Sequence, residues 1–208
     1  MEAIRLHEGV CAPLPDDNVD TDQIIPSREM KRVSKQGLGE GLFAGSRYLY
    51  EGMQKIGLSD DFVLNKPEYV GASILLSGRN FGCGSSREHA VWALHDFGIR
   101  AVIAESFGRI FRINCARNGL LAIELAAAQI EALIQQTSLD PQANRVVIDL
   151  PNGKIRTPLG EEFDFAIDES DRRMLMLGLD YIDYSLQYAA DIDAFKKNDT
   201  ADRPWAYL

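Results

Sequence analysis

The sequence GRNFGCGSSREH, residues 78–89, decides the fold because it joins a predicted strand to a predicted helix. The residues before it, 72–76, are almost entirely apolar, as in a buried strand. After it, apolar residues recur at helical spacing over residues 90–97. The sequence therefore predicts a glycine-rich turn between a strand and a helix that covers residues 85–97.

This turn has the composition of an anion-binding pocket. Its glycines permit backbone conformations that other residues rarely adopt. Ser85 and Ser86 are predicted in the first helical turn, where unpaired N–H groups and the positive end of the helix dipole favour an anion. Arg87 adds a planar fork that suits a carboxylate. The three glycines of the turn are Gly78, Gly82 and Gly84.

Two other interpretations of the turn remain. Ser85 and Glu88 also fit a capping box, which is purely structural. A cap needs one hydroxyl and no arginine, so two adjacent serines with Arg87 favour the anion pocket. A nucleotide-phosphate loop is not favoured, because the lysine of its signature is missing.

Three blocks of the chain resemble the mobile swivel domain of the aconitase superfamily. GCGSSREH at 82–89 is similar to that domain's signature, and DNVDTDQIIP at 17–26 to its Asn-x-Asp-Thr-Asp-x-Ile-x-Pro segment. ESFGRIF at 105–111 and NGLL at 118–121 resemble its third block. Within the superfamily, the chain resembles the bacterial 3-isopropylmalate dehydratase small subunits. The features that carry this resemblance are its free-standing form, Met-Lys-Arg at 30–32 and the tail at 179–205.

The resemblance implies a fold and a reaction. The fold is an α/β swivelling β/β/α domain, with a mainly parallel sheet flanked by helices and a helical C-terminal tail. The reaction interconverts 2- and 3-isopropylmalate by dehydration and rehydration through 2-isopropylmaleate, in leucine biosynthesis. Close alternatives are citramalate, dimethylmalate or homoaconitate hydro-lyases. A binding module that kept the fold but lost its enzymatic partner is the alternative from a different class.

The resemblance also implies roles for individual residues. Ser85 is expected to be the proton-transferring base, and Ser86 and Arg87 to contact a substrate carboxylate. A second carboxylate ligand is expected after the Asp-Thr-Asp block; the candidates are Arg32, which is preferred, Lys31 and Arg28. The residues expected to shape the cleft are Asp20, Thr21, Asp22, Gly82, Cys83, Gly84 and His89.

The three cysteines favour a chain without its own metal or cofactor. Cys11, Cys83 and Cys115 are widely spaced and include no Cys-x-x-Cys. Aconitase-type enzymes hold a [4Fe–4S] cluster on three cysteines, so the resemblance implies that a separate large subunit carries it. The expected assembly is a heterodimer or heterotetramer that is active only when both subunits are present.

Composition sets independent bounds. A chain of 208 residues with 46% hydrophobic content is expected to form a single domain over 1–208, with a core of about 1–165 and a helical extension of about 166–208. We expect a cytoplasmic location, because no apolar run approaches a membrane span and the N-terminus lacks the apolar core of a secretory signal.

The charge distribution argues against nucleic acid and anionic membranes as partners, because the net charge is −9. Residues 160–202 hold twelve acidic and four basic side chains, so this segment contributes most of the negative charge. The remainder is nearly neutral and contains basic clusters around residues 28–35 and 109–117. A locally positive site for a small acid is therefore compatible with an acidic chain.

The remaining patterns predict an alternating α/β organisation. A short strand is predicted near 3–6, followed by irregular structure as far as Pro26 and a mobile glycine-rich loop over 33–45. The hairpin and tail predictions are strands at 145–150 and 154–157 and a helical segment at 169–197 that breaks at Gly178. The other predicted elements are strands 72–77, 101–104 and 120–124, and helices 107–117 and 126–136.

Overall fold

The computed structural model describes residues 1–30 and 34–207. The strands are β1 Leu6–Leu14, β2 Tyr48–Glu51, β3 Gln54–Leu58, β4 Ala72–Ser77, β5 Ala101–Ala104, β6 Leu121–Glu124, β7 Val146–Asp149, β8 Lys154–Arg156 and β9 Glu162–Asp164. The α-helices are α1 Thr21–Ile24, α2 Ala44–Arg47, α3 His89–Phe97, α4 Arg109–Arg117, α5 Ala127–Ser138, α6 Glu169–Leu177, α7 Tyr181–Leu186 and α8 Ala189–Asp202.

A seven-stranded sheet in the order β6-β5-β4-β1-β7-β8-β9 organises the molecule. Its first four strands are parallel, and β7, β8 and β9 continue it in antiparallel pairs. The predicted fold class is confirmed, as are the strands at 72–77 and 101–104 and the hairpin formed by β7 and β8. A separate antiparallel pair, β2 and β3, lies outside this sheet.

Strand β1 corrects the prediction for the N-terminal segment. A short strand at 3–6 followed by irregular structure was expected, whereas β1 runs over nine residues in the middle of the sheet, between β4 and β7. Val10, Cys11 and Ala12 are buried there. The glycine, alanine and proline residues of β1 have low strand propensity, so the sequence alone does not predict it. Pairing with a strand on each side stabilises β1 through burial and hydrogen bonds.

Two apolar layers enclose the sheet. One contains Phe81, Leu94 and Phe111, from the loop after β4 and from α3 and α4. The other contains Leu133 of α5 and Leu175 of α6, packed on the opposite face. Both faces of the parallel strands are therefore covered by helices, as expected for parallel sheets.

Helix α3 begins at His89, four residues later than predicted. Glu88 is its N-cap and makes no side-chain capping bond, so the capping-box interpretation of Ser85 and Glu88 is wrong. Gly84 has a left-handed backbone with φ +88°, which helices exclude. Ser85 and Ser86 therefore lie in the loop before the helix, not in its first turn.

The glycine-rich segment packs into the fold over residues 38–43, which corrects its prediction as a mobile loop; Val33, its first residue, lies outside the described residues. Leu38, Leu42 and Phe43 are buried. The Gly39 N–H donates to Asp96 Oδ2 at 2.7 Å, and a Cβ at Gly39 would come within 2.7 Å of the Phe97 nitrogen. The glycine thus permits close packing against the end of α3.

The C-terminal tail is helical, as predicted, and breaks at Gly178, which is a left-handed C-cap of α6. Met174 and Leu175 of α6 are buried on the sheet, whereas α7 and α8 contain no buried residue. None of the helices within 1–30 and 34–207 combines the length and hydropathy that a membrane span requires.

Candidate active site

Three loops meet where the parallel strands β1, β4 and β5 end. They are residues 15–20, 78–88 and 105–108. Because the carboxyl ends of parallel strands lie at one edge of a sheet, ligands commonly bind there. The three resemblance blocks of the sequence are therefore brought together at this edge.

Main-chain hydrogen bonds join the first two loops. The Asn18 N–H donates to the Arg79 carbonyl at 2.8 Å, and the Gly82 N–H donates to the Val19 carbonyl at 2.7 Å. The Thr21 N–H donates to the Cys83 carbonyl at 3.0 Å. This ladder holds the glycine-rich loop against the Asp-Thr-Asp segment.

The third loop supports the glycine-rich loop from the other side. The Phe81 N–H donates to the Ser106 carbonyl at 3.0 Å, and the Gly108 N–H donates to the Phe81 carbonyl at 2.8 Å. Gly82 has φ +73°, and a Cβ at this position would collide with the Phe111 ring. A glycine is therefore required at residue 82 for both backbone conformation and packing.

Thr21 ties α1 directly to the predicted catalytic serine. The Thr21 side chain is buried, with 1% exposed. Its Oγ1 accepts from the Ser85 N–H at 3.2 Å and lies 3.4 Å from the Ser85 carbonyl oxygen, to which it donates. The buried hydroxyl thus fixes the backbone of Ser85, while the side chains of Ser85 and Ser86 stay exposed.

Asp22 of α1 and Arg87 of the glycine-rich loop form an ion pair, in which Arg87 Nη1 donates to Asp22 Oδ1. The hydrogen bond from Arg87 holds the pKa of the Asp22 carboxyl below its usual value. The Arg87 side chain is 26% exposed and that of Asp22 is 56% exposed. Arg87 is therefore fixed near the surface, next to Ser85 and Ser86 in sequence.

Asp20 has a structural role at the start of α1. Its carboxylate accepts from the Gln23 N–H at 2.7 Å, and the Gln23 side chain accepts from the Asp20 N–H at 2.8 Å. This is a capping box. Asp20 therefore shapes the edge of the site by starting the helix that carries Thr21 and Asp22.

The other predicted residues of the cleft lie at its margins. Cys83 is half-buried, and its thiol donates to the Asn18 carbonyl at 3.5 Å. His89 is the first residue of α3, and its ring lies 4.8 Å from the Trp92 ring, centroid to centroid. Gly84 separates Cys83 from Ser85 and carries the left-handed turn between them.

Lys31 and Arg32, two of the candidates for the second carboxylate ligand, lie outside the described residues. The third, Arg28, is turned toward β2, where its guanidinium lies 4.8 Å from the centroid of the Tyr50 ring. The neighbouring Tyr50 side chain raises the pKa of Arg28. Arg28 is thus already engaged outside the three loops.

Known proteins resemble this chain in both sequence and fold. Residues 1–128 match the family model described as the aconitase C-terminal domain. The chain is 53% identical to the 3-isopropylmalate dehydratase small subunit of Cupriavidus necator, covering 100% of this chain and 99% of that protein. The chain belongs to the 3-isopropylmalate dehydratase small-subunit family. The small subunit of Agrobacterium fabrum is 48% identical, covering 99% of this chain and 100% of the relative.

A solved structure of this family shares the fold. The 3-isopropylmalate dehydratase of Methanocaldococcus jannaschii superposes with a TM-score of 0.65 at 28% sequence identity, covering 92% of this chain and 99% of that one. The family assignment therefore rests on both sequence and structure.

Sequence reasoning missed one network behind residues 78–88, the serine loop, which carries Ser85 and Ser86. Asn118, at the end of α4, donates through Nδ2 to Glu88 Oε1 at 2.7 Å and accepts from Trp92 Nε1 at 2.8 Å. Its amide thus fixes the residue after Arg87 and a side chain of α3. The sequence does place Asn118 in the third resemblance block, but membership of that block does not indicate which side chains it contacts.

A second missed contact joins Asp17 to Arg79. The Arg79 N–H and guanidinium both donate to the Asp17 carboxylate, at 2.8 Å from the backbone and at 3.1 and 2.7 Å from the side chain. The hydrogen bonds from Arg79 lower the pKa of Asp17. This ion pair is a further link between the segment before α1 and the loop that carries Ser85.

The described residues do not fit a resident iron–sulfur cluster. Within 1–30 and 34–207 no three His, Cys, Asp or Glu side chains are grouped so that they could hold a metal ion. Cys11 and Cys115 are buried on separate elements, and burial raises the pKa of both thiols. Thiolate ligands are thus disfavoured at these two positions.

The site is an open surface rather than a cavity. One large cleft of about 530 Å³ lies beside the first loop and is lined by Asp16, Val19, Phe62 and Lys66, but not by Ser85. Ser85 and Ser86 face solvent at the edge of the sheet. The loop that carries the two serines is therefore accessible on an open face of the chain.

Proposed function

We propose that this chain is the small subunit of a 3-isopropylmalate dehydratase, a hydro-lyase that interconverts 2- and 3-isopropylmalate through 2-isopropylmaleate in leucine biosynthesis. The observation that carries the proposal is the serine loop with its fixed Arg87, in a chain 53% identical end to end to a small subunit of that enzyme. A cytoplasmic location belongs to the same proposal.

Ser85 acts as the base. Its alkoxide takes a proton from the substrate carbon next to the carbon that bears the hydroxyl group. The electron pair of the C–H bond forms the double bond as the hydroxyl group leaves with the C–O electrons. Hydroxide then adds to the carbon that lost the proton, and Ser85 returns its proton to the carbon that bore the hydroxyl group, which gives the isomer and restores the alkoxide.

Ser85 needs help to act as a base, because a serine hydroxyl is weakly acidic. Among the described residues, no side chain accepts a hydrogen bond from its Oγ. The support therefore comes from charge, because the Arg87 guanidinium, two residues away in sequence, stabilises a developing alkoxide. Closure of the site by a partner would strengthen this effect by excluding water.

Arg87 and Ser86 bind a substrate carboxylate. Only Nη1 of Arg87 is bonded to Asp22, so the rest of the planar fork is available to a carboxylate. Ser86, next to it and exposed, adds a hydroxyl donor. A second carboxylate is assigned to Arg32 or Lys31, because Arg28 is engaged with Tyr50.

The partner is a large subunit that covers the exposed serine loop, and the assembly is a heterodimer or heterotetramer. Loss of hydroxide requires a Lewis acid, which a [4Fe–4S] cluster on the large subunit would supply. The described residues of this chain do not offer that ligand set. The chain alone is thus expected to be inactive.

The test is anaerobic mixing with the large subunit from the same organism, following 2-isopropylmaleate formed from 3-isopropylmalate. Turnover only in the mixture supports the proposal. Turnover confined to citramalate, dimethylmalate or homocitrate would show that the substrate is a different hydroxy acid, while the proposed mechanism would still apply. A chain that associates with no such large subunit would leave a binding module as the better interpretation.

Variants of the serine loop test the assigned roles. Ser85→Ala should lower kcat by about two to four orders of magnitude with unchanged assembly, because it removes the base. Ser138→Ala, an exposed serine at the end of α5, is the control. Arg87→Lys keeps the charge and loses the fork, so KM should rise. Normal turnover in Ser85→Ala would remove Ser85 as the base.

A further inference from the structure

A second cleft of about 530 Å³ opens at the far end of α3 from the serine loop. It lies where the last turn of α3, the end of α4 and the first residue of the chain approach each other. Its volume is in the range of small-molecule sites. Its lining is rich in positive charge, supplied by Lys35, Arg100 and Arg117.

These cations are not neutralised by ion pairs. Within the described part of the chain, none of the three lies within 4.0 Å of a carboxylate oxygen. Two acidic residues line the cleft, but both carboxylates already accept backbone N–H groups. Asp96 accepts from Gly39 at 2.7 Å, and Asp180 accepts from Ile182 at 2.9 Å and Asp183 at 2.8 Å, as the N-cap of α7.

Aromatic rings and an amide hold two of the cations in place. Lys35 Nζ lies 4.8 Å from the centroid of the Trp92 ring and 3.3 Å from Asn118 Oδ1. The Arg117 guanidinium lies 5.0 Å from the centroid of the Tyr181 ring. Stacking uses the face of a guanidinium, so its in-plane N–H groups stay available to an anion.

His95 adds a neutral ring to the cleft. Burial and the nearby charge of Arg100 lower its pKa, so the imidazole is uncharged at neutral pH. Arg100 itself is anchored, because its Nη1 donates to the carbonyls of His95 and Ile99 at 2.9 and 3.1 Å. A concentration of unpaired positive charge on a chain of net charge −9 is unusual, and it attracts small anions.

We propose that this cleft binds a small anion carrying a carboxylate or phosphate group, held by Lys35 and Arg117 beside Trp92. Arg100 adds positive charge to the same cleft. None of these residues belongs to the serine loop, so the site is separate from the proposed catalytic one.

Trp92 gives a direct signal for the test, because the chain contains two tryptophans and Trp205→Phe leaves Trp92 alone. This single-tryptophan chain is titrated with inorganic phosphate and, separately, with malonate. Sodium chloride of matched ionic strength is the reference in each titration. A saturable change in Trp92 fluorescence is expected, and the stronger probe tells which anionic group the cleft prefers.

Substitutions then locate the binding. Lys35→Gln and Arg117→Gln should each weaken it by about tenfold or more, because each removes a charged hydrogen-bond donor. Lys66→Gln, in the cleft beside the first loop, is the matched control and should bind normally. Arg87→Gln should also bind normally if the signal comes from this cleft.

Two results would overturn the proposal. One is the absence of a saturable signal beyond the chloride reference with both probes. The other is a signal that disappears in Arg87→Gln and persists in Lys35→Gln and Arg117→Gln, which would place the anion at the serine loop. If neither probe binds and Lys35→Gln or Arg117→Gln weakens association with the large subunit, the charged surface belongs to that interface.

Discussion

Arg87, in the loop after β4, donates to the carboxylate of Asp22 in the first α-helix, 65 positions earlier in the chain. The pair joins the two parts of the candidate site with one charged hydrogen bond. It uses one nitrogen of the guanidinium and leaves the others for a ligand. Asp22 is therefore a positioning residue for Arg87, because its carboxylate fixes the orientation of the guanidinium.

Asp22→Asn should raise KM severalfold for the assembled enzyme and leave kcat nearly unchanged, because the variant loosens Arg87 without removing it. Folding stability should change by less than about 1 kcal/mol, since both side chains are partly exposed. Steady-state kinetics and urea denaturation measure the two effects. Glu162→Gln, which breaks an exposed pair with Lys154 on the β8–β9 hairpin, is the control. An unchanged KM would show that Arg87 does not depend on Asp22.

Thr21→Val tests the link between α1 and Ser85. The substitution keeps the shape and removes the buried hydroxyl that bonds the Ser85 backbone, so it should destabilise the chain by about 1–3 kcal/mol. kcat should fall as well, because Ser85 is no longer held. Thr21→Ser keeps the hydroxyl and should preserve kcat. Equal kcat values in the valine and serine variants would contradict a positioning role for the hydroxyl.

Gly82→Ala should destabilise the fold by about 2–5 kcal/mol, because the new methyl group meets the Phe111 ring and the backbone is left-handed. Gly71→Ala separates the two causes. Gly71 has φ +75°, close to the +73° of Gly82, but open space around its Cβ position, so only about 1 kcal/mol of backbone strain is expected there. Denaturant unfolding of both variants makes the comparison. Equal losses would show that packing against Phe111 contributes nothing.

The sequence predicts those elements of the fold that are encoded locally. The segments that form β4 and β5 are mostly apolar, and their bounds are predicted correctly. Gly178 ends α6 as predicted, because a glycine can adopt the left-handed C-cap conformation. Apolar patterns and glycines act over a few residues, which is why they can be read without the rest of the chain.

The errors occur where distant contacts override local preference. The start of α3 moves to His89 because Thr21, 64 positions before Ser85, bonds the Ser85 backbone and Gly84 turns left-handed. Strand β1 is formed by its neighbours β4 and β7, both remote in sequence. Segment 38–43 is buried by α3 rather than left as a loop.

The candidate site is predictable from motifs only in part. The resemblance assigns three sequence blocks to one family, and in the structure the loops of these blocks lie at the same edge of the sheet. The pairs Asp22 with Arg87 and Asp17 with Arg79 are not evident from any spacing, because they depend on how two strands lie side by side. The catalytic roles of Ser85, Ser86 and Arg87 stay predictions that the variants above test.

Acidification should destabilise the chain through His7. Burial, followed by the charge of Arg100, lowers the pKa of His7 from 6.5, so the unfolded chain binds a proton more tightly than the folded one. Stability is therefore full above the unfolded value and declines as the pH falls below it. Urea midpoints at about pH 7.5 and about pH 5.5 measure the decline, which should be smaller in His7→Gln. An equal decline in both proteins would exclude His7 as a cause.

Asn118→Asp tests the network behind the serine loop. The variant keeps an acceptor for Trp92 but replaces the donor to Glu88 with a second carboxylate, so the folded state should lose stability at neutral pH. Asn152→Asp is a matched control, because Asn152 donates to Asp149 in an exposed turn where solvent screens the repulsion. Urea unfolding should show a larger loss for Asn118→Asp than for Asn152→Asp. That loss should shrink toward about pH 4, where carboxyl groups gain protons; a loss that stays constant with pH would assign the effect to packing instead of charge.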